Sequence, residues 1–133
     1  MKGSPPYDFV YLGDISTERT IPLMAVPDEG PGVLVRRVLL GATTEVPPNP
    51  TDFWVLSLGT VDGTRNFTPE SLFPLSKLGL QNGVRQAQVN PKLSLDPGSF
   101  LALKLEKRGS PTDLPGLYVA LDFVPLRGPL ESI

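Results

Sequence analysis

Ser99-Phe100-Leu101-Ala102-Leu103-Lys104-Leu105-Glu106-Lys107 alternates almost strictly from Leu101 onward. Successive side chains of an extended chain point to opposite faces. Leu101, Leu103 and Leu105 therefore share one face, and Ala102, Lys104 and Glu106 share the other. Leu117-Tyr118-Val119-Ala120-Leu121-Asp122-Phe123-Val124 repeats the pattern, with Leu117, Val119, Leu121 and Phe123 on a common face. Each run predicts a strand that buries one face, as antiparallel sheets do. Asp122 falls on the opposite face and reads as a solvent-facing charge.

Working outward, two more apolar runs precede these. They are Gly32-Val33-Leu34-Val35-Arg36-Arg37-Val38-Leu39-Leu40 and Asp52-Phe53-Trp54-Val55-Leu56-Ser57-Leu58-Gly59. In the second, Trp54, Leu56 and Leu58 form the core-facing set. The Arg36-Arg37 pair interrupts the first. Strict alternation turns one of the two arginines toward the Val33/Val35 face unless a bulge intervenes. Weaker strands are expected over residues 20–26 and 84–89, with short pairings near 7–12 and 92–95. The single helical candidate is one turn over residues 69–78, opened by Pro69-Glu70-Ser71-Leu72 and interrupted by Pro74.

Turn residues separate the runs. Pro27-Asp28-Glu29-Gly30-Pro31 precedes the 33–40 strand, and Val46-Pro47-Pro48-Asn49-Pro50 cannot be helical because proline lacks the donor and restricts its predecessor. Asp62-Gly63 is a hairpin cue, Asp96-Pro97-Gly98 a tight turn, and Arg108–Gly116 joins the two long strands. Seven or eight strands at spacings of roughly ten residues predict an all-β fold, an antiparallel β-sandwich of jelly-roll-like order.

Composition bounds the function. The 133 residues make one ordinary domain, with 40% hydrophobic and 20% charged residues. Residues 1–17 read as an N-terminal arm or an edge strand, and 18–133 as a single sandwich domain. The chain has no histidine and no cysteine, which removes Ser-His-Asp and Cys-His catalysis and the usual zinc, copper and haem ligands. Carboxylate pairs remain, but most of the carboxylates sit in turns, where capping the local backbone explains them. The expectation is a protein that is not an enzyme and that takes no cofactor and no metal. A net charge of -2 does not favour nucleic acid or an anionic membrane. No run approaches the roughly 20 apolar residues of a membrane helix, and the first residues do not read as a secretion signal.

Several segments together resemble small jelly-roll structural proteins of tailed bacteriophages, in particular capsid decoration (cement) proteins and related head or tail appendages. They are Ile21-Pro22-Leu23-Met24-Ala25-Val26-Pro27, the 32–38 and 52–59 runs, Leu95-Asp96-Pro97-Gly98-Ser99-Phe100 with the strand it opens, Lys107-Arg108-Gly109-Ser110-Pro111 and the closing strand. The likeness covers residues 20–125 and lies in strand order and turn style. It implies a homotrimer that binds and stabilises an assembled shell, with the major capsid protein or another virion protein as partner. The implied location is the virion, after synthesis in the host cytoplasm. The partner-binding candidates are Tyr7, Phe9, Tyr11 and Leu12 in the first segment, and Arg36 and Arg37. The alternative is a carbohydrate- or receptor-binding sandwich in which aromatics form a platform. Sixteen prolines suit a thermostable particle, because each at a compatible site restricts the unfolded chain.

Overall fold

The computed structural model describes residues 8–62, 66–76, 79 and 93–125. They form eight strands: β1 (Asp8–Ile15), β2 (Arg19–Ala25), β3 (Val33–Ala42), β4 (Phe53–Val61), β5 (Phe67–Pro74), β6 (Leu93–Leu95), β7 (Phe100–Arg108) and β8 (Leu114–Pro125). Two antiparallel four-stranded sheets stack into a sandwich. Sheet A has the order β1-β8-β3-β6 and sheet B the order β2-β7-β4-β5. The pairs β1·β8, β2·β7, β3·β6 and β4·β5 nest within one another, as if one long hairpin had been rolled up. Rolling then brings β8 beside β3 and β7 beside β4. This is the jelly-roll order that the alternating runs predict.

The core fills the space between the sheets. Val38, Leu40, Leu117, Val119 and Leu121 from sheet A meet Leu56, Leu58, Leu101, Leu103 and Leu105 from sheet B. Leu101, Leu103 and Leu105 are fully buried, on the face that their alternation assigns to the core. Trp54 belongs to the same cluster, and its indole N–H donates to the carbonyl oxygen of Thr112 (2.8 Å). A buried Trp needs such a partner, and here the loop before β8 supplies it.

Two expectations change. The segment from Pro69 is strand β5, not a helical turn, because β4 recruits it along its whole length, with Glu70 as an extra, bulged residue between Ser71 and Pro69. Asp122 is buried, not solvent-facing. The strand expected over 84–89 and the Asp62-Gly63 turn itself fall wholly or partly outside the described residues. β4 and β5 nonetheless pair as a hairpin, from Val61↔Phe67 to Val55↔Pro74.

Among the described residues, each edge strand is short, bulged or interrupted by proline. β1 carries two register shifts around Gly13, whose φ of 77° is left-handed. β6 has three residues. β2 contains Pro22 and a bulge at Leu23, and β5 contains Pro69 and Pro74 besides its own bulge. Short, bulged or proline-bearing edges resist strand addition from another chain.

Candidate partner-binding face

A bulge in β3 creates the most distinctive group of side chains on the molecule. Val35 pairs with Phe123 and Arg37 with Asp122, which leaves Arg36 as an extra residue. Before the bulge the inward positions are odd, ending at the buried Val35. After it they are even, running Val38, Leu40, Ala42, all buried. Without the extra residue, Arg37 would enter the core. With it, both arginines lie on the outer face of sheet A, beside Asp122.

There they clamp the carboxylate. Arg36 Nη2 donates to Asp122 Oδ1 at 2.8 Å, and Arg37 Nε donates to Oδ2 at 3.1 Å. The Asp122 side chain is 2% exposed, whereas those of Arg36 and Arg37 are 51% and 43% exposed. The carboxylate thus lies shallowly, beneath the arginines. Burial alone raises its pKa. The hydrogen bonds and charges of Arg36 and Arg37 outweigh that effect and hold it below its ordinary value of 3.8.

The rest of this face is mostly apolar among the described residues. Register places Tyr11 beside Tyr118, Tyr118 beside Gly41, Ala120 beside Leu39, and Leu34 between Val124 and Ser94. Ala120 and Gly41 are buried although they point away from the core. Tyr11 is 65% exposed, with its hydroxyl against Gly116. A Cβ at Gly116 would strike that hydroxyl, so the glycine allows Tyr11 to lie across β8 toward Thr43. The face therefore runs from a tyrosine end (Tyr11, Tyr118, with Gly41 alongside), through Ala120 and Leu39, to an arginine end (Arg36, Arg37, Asp122).

Three of the sequence-derived candidates, Tyr11, Arg36 and Arg37, lie on this face, Tyr11 at one end and the arginines at the other. Leu12 sits at the first bulge of β1 and packs against the core cluster. Phe9 pairs through its backbone with Ala120, and Tyr7 lies outside the described residues. Sequence reasoning missed Asp122 and Tyr118. The usable signal was the Arg-Arg pair within an apolar run, since two adjacent cations in a central strand require a bulge and an outward carboxylate.

Two other features do less. A pocket of about 260 Å³ lies at one end of the sandwich, with Pro47, Pro48, Phe53, Trp54 and Pro111 in its walls. Its polar groups serve the local backbone: Asn49 Oδ1 accepts from the amides of Thr51 and Asp52, and Asp52 Oδ1 accepts from the amide of Ser110. Trp54 is 2% exposed and presents no aromatic platform. Among the described residues, no group of three His, Cys, Asp or Glu side chains is placed to hold a metal ion.

No protein-family model matches the chain, and no curated protein matches it. Among solved structures, it is similar to the core of Drosophila NLP, whose crystal structure is described as giving insight into pentamer formation and histone binding. The identity is 18% and the TM-score 0.43, over 89% of this chain and 97% of that one.

Proposed function

We propose that this chain is a structural protein of a virion, a decoration protein that binds an assembled shell and stabilises it through the outer face of sheet A. The observation that carries the reading is that face. Tyr and Arg are among the residue types that carry most binding energy at protein interfaces, and Tyr11, Arg36 and Arg37 stay exposed on this one face. The resemblance to bacteriophage decoration proteins supplies the virion context and implies three copies.

The mechanism is mass action. A protein that binds only the assembled shell stabilises it by RT ln(1 + [L]/Kd), and repeated sites on a lattice add avidity. The buried, internally bonded Trp54 weighs against the carbohydrate-platform alternative. The test is co-sedimentation of the purified protein with emptied heads of tailed bacteriophages, followed by heating. The expected result is saturable binding and a higher temperature of shell disruption. Binding that is absent, or that persists unchanged in an Arg36→Ala/Arg37→Ala variant that still folds, removes this reading of the face.

A further inference from the structure

We infer that the partner of the outer face of sheet A presents a carboxylate side chain to Arg36, so that this guanidinium bridges Asp122 and an acidic residue of the partner. The inference deepens the reading of that face as a contact surface and rests on it. It does not depend on which assembly supplies the partner.

The two arginines are held differently. Arg37 is committed to the clamp, with Nε and Nη2 both 3.1 Å from Asp122 Oδ2, and it has a further partner within the chain. Arg36 reaches Oδ1 through Nη2 alone, at 2.8 Å, and has no other partner among the described residues. A guanidinium offers two edges, each with a pair of parallel N–H groups that match a carboxylate. Nη2 contributes one hydrogen to each edge. A single bond from Nη2 therefore leaves one edge whole. Arg36 keeps 51% of its side chain exposed, so that edge is open to a second carboxylate. Asp122 lies beneath as a positioning residue. It restrains Arg36 before contact, which lowers the cost of ordering a long side chain on binding.

Charge selects the ligand. Leu34 and Leu39 on β3, and Ala120 and Val124 on β8, flank the cluster on the same face. A surface laid over them takes the cluster out of water with two cations against one carboxylate. The unmatched charge opposes that step. One incoming carboxylate evens the balance, whereas a neutral surface leaves it and a cation worsens it. The proposed partner is a protein, so the carboxylate belongs to Asp or Glu. The whole chain carries a net charge of -2 and has no general attraction for anions, so the match is local.

The test uses the full-length, isotope-labelled chain. A short oligo-glutamate peptide stands in for the partner, and an oligo-lysine peptide is the control. NMR follows the Arg36 Nε–H signal and the backbone amides of Arg37 and Asp122. The expected result is saturable movement of these signals with oligo-glutamate in the millimolar range, and none with oligo-lysine. Arg36→Lys keeps the charge but removes the two-donor edge, and should weaken binding several-fold. The same exchange at exposed Arg19 of β2 should leave binding unchanged. Movement spread evenly over the lysines and arginines, or equal binding by Arg36→Lys, overturns the inference. Peptide binding at Arg36 without binding to bacteriophage heads would keep this site and remove the virion reading. Head binding without peptide binding would do the reverse.

Discussion

The outer faces of the two sheets are built differently. On sheet B the polar and aromatic side chains close on one another. Phe67 lies over Gly59, where a Cβ would come within 2.7 Å of the ring. Lys104 Nζ stands 5.7 Å from the centre of that ring and 3.9 Å from Glu106. The aromatic is covered by a neighbour of the same sheet, and the cation is matched by a neighbouring carboxylate. On sheet A the tyrosine and arginine ends stand about 13 Å apart along β8, with Arg36 and Arg37 both turned to Asp122. One face gathers its cation, carboxylate and aromatic ring into one cluster, and the other holds its tyrosines and arginines at opposite ends. Charge content does not distinguish them; the distance between complementary groups does.

The comparison can be broken at several points. The largest effect comes from the core that both faces share. Leu103 is fully buried between Leu58 and Ile21 of the neighbouring strands. Leu103→Asp should cost more than about 4 kcal/mol and leave no cooperative unfolding transition, because it buries an unpaired charge. A soluble variant that melts cooperatively would show that the inward face has been misassigned.

Gly59→Val tests the clustered face. The new side chain meets the Thr68 carbonyl oxygen and the Phe67 ring, and overpacking of this kind costs about 1–3 kcal/mol. Urea unfolding should show that loss with shell binding unchanged, since sheet B lies outside the proposed contact.

Asp122→Ala tests the other face and should cost about 1–2 kcal/mol. That is less than a deeply buried pair would, because the arginines keep roughly half their exposure. The clamp also has a pH signature. The folded carboxyl titrates below 3.8, its ordinary value, so the clamp's contribution is fully present above that value. It is lost as pH falls through the lower, folded pKa. Between pH 5 and pH 3 the wild type should therefore lose more stability than Asp122→Asn. Equal losses would mean that the clamp contributes nothing.

Most of the fold was legible because β7 and β8 alternate cleanly and their partners are apolar runs bounded by turn residues. Three failures share a physical cause. Pro69-Glu70-Ser71-Leu72 has the look of a helix start, yet pairing with β4 overrides local preference and a bulge absorbs the misfit. Asp122 sits on the outward face, as its spacing says, but the bulge at Arg36 aims two arginines over it, and no pattern within β8 reveals that. Leu12, read with Tyr11 as part of one exposed cluster, packs against the core from a bulge. Bulges shift parity by one residue and are decided by the partner strand. Short-range periodicity cannot see them unless a misplaced charge, such as the Arg36-Arg37 pair, demands one.

The most direct test of the central claim is co-sedimentation of the wild-type protein with emptied heads of tailed bacteriophages over a concentration series, beside the Tyr11→Ala variant. Contact through the outer face of sheet A predicts saturable binding of the wild type and weaker binding of a folded variant. A wild type that stays in the supernatant throughout, or a folded variant that binds equally well, would contradict it.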